Sequence, residues 1–250
     1  GWTIDHIEIL SLKDGGVQTI DLDGDAINRI VDGPNALTHD SENALVVIGD
    51  EGDVVRLTGD FFLSGDSVLP IDSVNETFIR VEDLDHALLV DESVRLEVTR
   101  LDGSVGIFGG SAGETITGTA LADDLTGRGG ADTIDAGAGD DIIDYDAGDV
   151  LLDGGLGIDT AFLSGPDLDL RYGNNLDGIE ILDLSNGVAD VLEINIRDIL
   201  DIVTDNGLES VIANGLTKLL ITGDADDQII LNGVNLSDIT DGLAHDMNSD

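Results

Sequence analysis

Apolar residues along most of the chain fall in short runs of strand length. The segments at 7–12 (IEILSL) and 44–48 (ALVVI) alternate or run apolar, which predicts strands. One stretch differs, because Asp25 precedes an apolar set at helical spacing that begins at Ile27. Since aspartate is a favourable N-cap, this stretch predicts a short helix capped by Asp25. We therefore expect an all-β fold with a short helix inserted.

The same order of elements recurs near the end of the chain. IEIL at 7–10 returns at 179–182, and GDEGDVVRL at 49–57 returns as GDADDQIIL at 223–231. The helical pattern returns after Asp198. The sequence thus predicts two copies of one β-rich module, each with one short helix.

Between the two copies lies a shorter repeat. From Gly109 the chain divides into six consecutive nonapeptides without insertion. Position six reads Glu114, Asp123, Asp132, Asp141, Val150 and Asp159. Position eight reads Ile116, Leu125, Ile134, Ile143, Leu152 and Ala161. The glycines of the turns that we expect to shape a metal site are Gly109, Gly118, Gly127, Gly129, Gly137, Gly139, Gly155 and Gly157.

The nonapeptide has a direct physical interpretation. Glycines permit the positive φ of a tight turn and let backbone carbonyls converge on one point. An aspartate at position six can reach the same point, and Ca²⁺ takes six to eight such hard oxygen ligands. The last three residues of each unit predict a short strand whose position-eight side chain points inward.

This pattern, G-G-x-G-x-D-x-U-x, resembles the hemolysin-type calcium-binding repeat, or RTX, family. The resemblance implies a parallel β-roll with two nonapeptides per turn and Ca²⁺ between stacked loops. One side then stacks Asp123, Asp141 and Asp159, and the other stacks Glu114, Asp132 and Val150. We expect two to four bound Ca²⁺ ions.

Val150 departs from the pattern, so Asp146 or Asp149 is a candidate to replace it. A related G-D-x-x-D turn occurs in both modules. Its secondary candidates for metal binding are Asp50, Asp53, Asp224 and Asp227, although an ordinary Asx turn also explains them.

The repeats divide the chain into three parts. We expect a first module, a central parallel β-roll and a second, truncated module within a fragment of a longer protein. The ranges are 1–108, 109–165 and 166–250.

Charge narrows the classes of partner. The chain has 53 acidic and 10 basic residues, a net charge of -43, and only 11 of the acids are Glu. Nucleic acids and anionic lipid surfaces both require a basic face, so neither is an expected partner. No apolar run has the length of a membrane helix, and the absence of Cys excludes disulfides and thiolate metal sites.

The sequence carries no catalytic set. Its four histidines are scattered, and Gly65-Asp66-Ser67, which resembles the start of one lipase family, lacks the acid–histidine partner of that family. We therefore expect no enzymatic activity in this chain.

The resemblance implies export through a type I secretion channel and folding outside the cell, where calcium is abundant. The leading hypothesis is an extender or presenting module of an adhesin or surface protein, with a cell-surface or matrix ligand as a candidate partner. The alternative is an accessory calcium-binding domain of a secreted enzyme or toxin. An ice-binding roll is not expected, because the chain lacks the regular outward-facing threonine array that ice binding requires. The acidic surface of a halophilic protein would not explain Asp at nine-residue intervals.

Overall fold

The computed structural model describes residues 9–31, 44–71, 74–82, 87–146, 148–163, 168–170, 175–195, 199, 202, 204–205, 208–209 and 219–232. For 65–71, 74–76, 168–169, 204–205 and 208–209 it describes the backbone alone. The single helix with complete bounds in these ranges is α1 (Gly24–Ile30). The strands are β1 (Ile9–Ser11), β2 (Thr19–Asp23), β3 (Ala44–Ile48), β4 (Val54–Thr58), β5 (Phe62–Ile71), β6 (Val74–Glu82), β7 (Ala87–Asp91), β8 (Arg95–Thr99), β9 (Val105–Phe108), β10 (Thr115–Thr117), β11 (Asp124–Thr126), β12 (Thr133–Asp135), β13 (Ile142–Tyr145), β14 (Leu151–Asp153), β15 (Thr160–Leu163), β16 (Leu168–Asp169), β17 (Leu176–Asp177), β18 (Ile181–Asp183), β19 (Val191–Asn195), β20 (Thr204–Asp205), β21 (Leu208–Glu209), β22 (Leu220–Thr222) and β23 (Gln228–Asn232).

The nonapeptide segment is a parallel β-roll, as predicted. Its strands fall on the last three residues of each unit, and two of them continue for one residue more. Thr115 of β10 pairs with Thr133 of β12, and Asp124 of β11 pairs with Ile142 of β13, so the register advances by 18 residues per turn. Two nonapeptides therefore make one turn of the roll. We call each such turn a rung.

Odd and even units build opposite walls of the roll. One wall is the four-stranded sheet β10-β12-β14-β17, called the short sheet below. The other belongs to the nine-stranded sheet β2-β4-β8-β9-β11-β13-β15-β18-β22, called the long sheet. The position-eight side chains point between the walls and are at most 2% exposed, which confirms the predicted core.

The first module also winds as parallel rungs, with longer connections. β1, β3 and β7 pair in parallel on one face, and β2, β4 and β8 pair in parallel on the other. The β5–β6 hairpin is an antiparallel extension of the first of these sheets.

Chain direction reverses between the first module and the roll. β8 pairs with β9 in antiparallel register, Leu96 opposite Phe108, whereas β9 pairs with β11 in parallel register. The long sheet therefore contains two parallel stacks that run in opposite directions and share one antiparallel junction.

The second module repeats the pairing of the first. β1 pairs with β3 with Ile9 opposite Val46, and β18 pairs with β22 with Ile181 opposite Leu220. Likewise β2 pairs with β4, and β19 with β23. These are the segments that the long sequence repeat relates, so the strand pairing agrees with two related modules where both copies are described.

The helix begins earlier than predicted. Asp23, not Asp25, is the N-cap of α1, and its Oδ1 accepts a hydrogen bond from the backbone N–H of Ala26 at 2.6 Å. Asp25 lies instead within the first turn, where its charge complements the helix dipole. In the second copy Ile199 and Ile202 are helical, while Asp198 lies outside the described residues.

The apolar core runs on from the roll into the second module. A single buried cluster includes Ile107, Ile134, Ile143, Leu182 and Ile194. Both the core and the long sheet thus cross the predicted boundary at residue 165, and the three-part division stays a prediction.

In the described part of the chain no helix combines the length and apolarity needed to cross a bilayer.

Candidate metal centre

The roll stacks the position-six carboxylates in two columns at its turns. Because each column repeats every 18 residues, equivalent loops lie directly above one another. Asp123, Asp132, Asp141 and Asp159 are at most 1% exposed. Four acidic side chains are therefore buried in a protein whose net charge is already strongly negative.

The first column is joined by hydrogen bonds from one loop to the next. The backbone N–H of Asp123 donates to Asp141 Oδ1 at 2.7 Å, and that of Asp141 donates to Asp159 Oδ1 at 2.8 Å. One rung earlier in the chain, the N–H of Val105 donates to Asp123 Oδ1 at 2.7 Å. Each aspartate thus ties its own loop to the preceding rung, as the predicted stack requires.

The second column contains Glu114, Asp132 and Asp149. The N–H of Glu114 donates to Asp132 Oδ1 at 2.7 Å, and the N–H of Asp132 donates to Asp149 Oδ1 at 3.4 Å. Val150 is 59% exposed, whereas Asp149 is 8% exposed. Asp149 therefore occupies the place in the column that Val150 leaves, and Asp146 supports it by donating its N–H to Asp149 Oδ2 at 3.0 Å.

The second carboxylate oxygen divides these residues into two groups. In the group that we call closed, both oxygens accept a backbone N–H. Asp123 is closed by Val105 and Thr119, and Asp149 by Asp132 and Asp146. In the group that we call open, the Oδ2 atom is buried and has no hydrogen-bond partner among the described residues. The open group is Asp132, Asp141 and Asp159.

The open group fits a calcium ion. A buried carboxylate oxygen without a partner is costly, because it has lost its hydration without replacement. Ca²⁺ supplies the missing positive charge and accepts oxygen ligands in flexible geometry. The described residues contain no cluster of three or more His, Cys, Asp or Glu side chains arranged around a metal. Backbone carbonyls would thus complete the shell beside an aspartate, as the sequence interpretation expects.

Burial also controls the protonation of these groups. Desolvation, together with the neighbouring carboxylates of Asp141 and Glu180, raises the pKa of Asp159 to about 8 against the opposing hydrogen bond from the N–H of Asp141. Desolvation raises the pKa of Asp141 to about 6 and that of Asp149 to about 6. The pKa of Asp132 is raised for the same reason. Without a cation, the columns resist ionisation.

Glu114, at the start of the second column, already contacts a cation. Its Oε1 lies 3.9 Å from Arg95 Nη1, and its Oε2 accepts the N–H of Gly110 at 2.9 Å. Arg95 also donates to the carbonyl of Thr115. The first module thus places a permanent positive charge at this end of the column, so Glu114 is a weaker candidate ligand than the open aspartates.

The predicted glycines line the same turns. A Cβ atom at all but Gly129 would collide with a neighbouring backbone or carboxylate. Gly155, with φ of +80°, is one such case, because its Cβ would collide with the carbonyl oxygen of Gly137 in the rung before. At Gly129 the nearest atom would be 3.8 Å away, so this position tolerates a side chain sterically.

The G-D-x-x-D turns of the two modules are closed structures. Asp53 accepts the N–H of Gln18 at 2.8 Å and that of Asp50 at 2.8 Å. Asp227 accepts the N–H of Asp190 at 3.0 Å and that of Asp224 at 2.5 Å. With both oxygens of Asp53 and Asp227 engaged, these turns need no ion, and a metal role for them stays a prediction.

Sequence reasoning missed one member of the first column. Glu180 is fully buried, and its Oε2 accepts the N–H of Asp159 at 2.8 Å. It continues the column one rung beyond the sixth nonapeptide. The signal was present, since Gly157-Ile158-Asp159 recurs as Gly178-Ile179-Glu180 after a three-residue expansion of the rung.

Acidification is expected to stabilise the calcium-free chain. The pKa values of Asp141, Asp149 and Asp159 in the fold lie above that of an unfolded aspartate, about 3.9. The folded state therefore binds more protons than the unfolded state between about pH 4 and pH 8, and stability falls as pH rises through that window. Unfolding temperatures in chelator at constant ionic strength measure this, and Asp159→Asn should flatten the decline above about pH 6. An unfolding temperature that rises with pH would contradict the pKa shifts.

Part of the chain matches a known family of repeats. The family model of the RTX calcium-binding nonapeptide repeat, which describes four copies of the repeat, matches residues 108–143 and, overlapping them, residues 117–152. No curated protein sequence and no solved structure shows significant similarity to the chain.

Proposed function

We propose, on the premise that residues 108–152 are RTX calcium-binding nonapeptide repeats, that the chain is a calcium-dependent structural segment of a secreted protein. The repeat is a structural calcium-binding module rather than a catalytic one. In this role the chain acts as an extender or presenting module of an adhesin or cell-surface protein. It reaches the outside through a type I secretion channel and folds there on meeting calcium.

The observation that supports the proposal is the set of open carboxylates in the two columns. Asp132, Asp141 and Asp159 each bury an oxygen that has no partner within the described ranges. A fold that tolerates such atoms without an ion would lose stability at each of them. Calcium binding removes this penalty, so that metal affinity becomes folding free energy.

The extender role is supported by the continuity of the long sheet. Nine strands follow one another through both modules and the roll. A continuous ladder transmits force along one axis and holds its ends at a fixed separation. The two modules are then parts of the same rod, available to present a surface for a cell-surface or matrix ligand.

A calorimetric titration of Ca²⁺ into chelator-treated protein tests the proposal. Asp141→Asn removes one open carboxylate while keeping an acceptor for the N–H of Asp123. We expect it to bind at least one ion fewer than the unmodified chain and to release less heat. Asp135→Asn is the matched control, because Asp135 lies in the same array but is exposed.

Two results would contradict the proposal. One is the absence of calcium binding by the unmodified chain at millimolar concentration. The other is an equal loss of calcium binding in the Asp141 and Asp135 variants. That result would indicate that calcium binding depends on the total charge of the chain and not on the buried carboxylates.

A further inference from the structure

A turn with the same glycine φ angle and the same side-chain-to-backbone hydrogen bond occurs in both modules. Residues 14–18 (DGGVQ) lead into β2, and residues 186–190 (NGVAD) lead into β19. Gly15 and Gly187 both have φ of +80°. The N–H of Gly16 donates to Asp14 Oδ1 at 3.0 Å, and that of Val188 donates to Asn186 Oδ1 at 2.9 Å. The two turns are therefore equivalent Asx turns.

The last residue of each turn also has the same role. Gln18 donates its N–H to the closed carboxylate of Asp53, and Asp190 donates its N–H to that of Asp227. Gln18 and Asp190 are thus structural counterparts, which gives the molecule an internal comparison at this position.

The acid and the amide have exchanged places between the copies. In the first copy the acid is Asp14 and the amide is Gln18, whose side chain hydrogen-bonds to Asp14 and lowers the pKa of that carboxyl. In the second copy the amide is Asn186, and its Nδ2 donates to Asp190 Oδ2 at 2.6 Å. Each turn therefore keeps one acid–amide pair.

This exchange moves the negative charge from solvent into the protein. Asp14 is exposed, whereas Asp190 is 2% exposed. The Oδ1 atom of Asp190 is buried and has no hydrogen-bond partner among the described residues. The same is true of the Oδ2 atoms of the open aspartates in the roll. The position that the half-buried, neutral Gln18 fills in the first copy holds a buried carboxylate with one unused oxygen in the second.

Other oxygen atoms lie around this turn. The carbonyl of Leu163 accepts a hydrogen bond from Asn186 Nδ2 at 3.2 Å, so it shares with Asp190 the same amide group. The carboxylate of Asp224, on the next rung, accepts the N–H of Gly187 at 2.8 Å. Carboxylate and carbonyl oxygens are the ligands that Ca²⁺ prefers.

We propose that Asp190 anchors a further calcium site, located in the second module and outside the nonapeptide array. Asp190 Oδ1 is its buried ligand, and the Leu163 carbonyl and the Asp224 carboxylate, which bind the same turn, are the candidate additional oxygen donors. The first module has no counterpart, because Gln18 replaces the anchoring acid. The site goes beyond the proposed function of the roll and does not depend on it.

The test compares two variants of the full chain by counting calcium ions bound after equilibrium dialysis. Asp190→Gln gives the second turn the amide of the first, and we expect it to bind one ion fewer than the unmodified chain. Asp14→Asn removes the exposed acid of the equivalent turn, and we expect its ion count to stay unchanged. Both variants lose one negative charge, so a change in total charge cannot explain a difference between their ion counts.

A second variant covers the case in which Asp190→Gln does not fold. Asp190→Asn is closest in shape to the native side chain, and circular dichroism in calcium establishes whether its fold is intact. An ion count equal to that of the unmodified chain in a folded Asp190 variant would overturn the proposal. Adding Asp141→Asn separates this site from the roll, because losses at two independent sites add.

Discussion

Saturating calcium is expected to raise the unfolding temperature of the chain by about 15–30 °C over the chelator-treated protein. Three open carboxylates correspond to about three ions, within the predicted range of two to four. An ion that binds only the folded state contributes about 2.7 kcal/mol at a hundredfold excess over its Kd, or roughly 8 kcal/mol for three. In a chain of this size each kcal/mol shifts the unfolding temperature by about 2–4 °C. Scanning calorimetry in chelator and in calcium measures the difference.

Two controls separate specific binding from charge screening. Any salt stabilises a chain with a net charge of -43 to some extent, because it weakens self-repulsion. Potassium chloride at matched ionic strength measures this contribution. Magnesium at the calcium concentration tests ligand geometry, since Mg²⁺ retains its waters and demands a regular octahedron. Equal stabilisation by all three salts would contradict a built calcium site.

Replacing Gly155 by alanine is expected to destabilise the calcium-bound chain by about 2–5 kcal/mol. A left-handed conformation costs a side-chain-bearing residue about 1–2 kcal/mol. The new Cβ would also meet the carbonyl oxygen of Gly137, and backbone cannot move aside as a side chain can. That carbonyl accepts the N–H of Leu156 at 3.0 Å, so displacing it breaks a contact between rungs. Urea unfolding in calcium measures the loss.

Gly15→Ala is the matched control for this variant. Gly15 has the same φ of +80°, but its Cβ would have no atom within 4 Å. It should therefore show the conformational cost alone, about 1–2 kcal/mol. If the two variants lose the same stability, close stacking of the rungs does not limit the side chain at Gly155.

The roll could be predicted almost completely because its information is local. A glycine-rich turn, an acid at position six and an inward residue at position eight specify one rung. Unbroken repetition then fixes the register between Ile116 and Ile134 without further information. The same regularity predicted the column of Asp123, Asp141 and Asp159.

Features that depend on the backbone geometry of individual turns and helix caps could not be predicted. The antiparallel junction of β8 and β9 is set by a turn at Arg100 to Ser104, where Arg100 N–H bonds to the carbonyl of Ser104. Asp23 replaces Asp25 as the helix cap because β2 continues as far as Asp23 and leaves its side chain facing the first helical N–H groups.

The distinction between closed and open carboxylates also could not be predicted from the sequence. Asp123 and Asp141 occupy the same position of the repeat and carry the same side chain. They differ because the N–H of Thr119 turns toward Asp123, while Asp141 Oδ2 has no equivalent donor among the described residues. Which aspartates need an ion thus depends on individual backbone orientations.

The 18-residue rung has a mechanical consequence. Folded, each rung adds only the distance between neighbouring strands, about 4.8 Å, to the length of the rod. Unfolded and extended, the same residues span about 60 Å. If loss of calcium unfolds a single rung, as the proposed function implies, the connection between its neighbours can lengthen more than tenfold. Under the proposed calcium-dependent folding, a chain of such rungs would be a short, stiff spacer in calcium and a long, extensible tether without it. The ambient ion concentration would then set how far the spacer reaches.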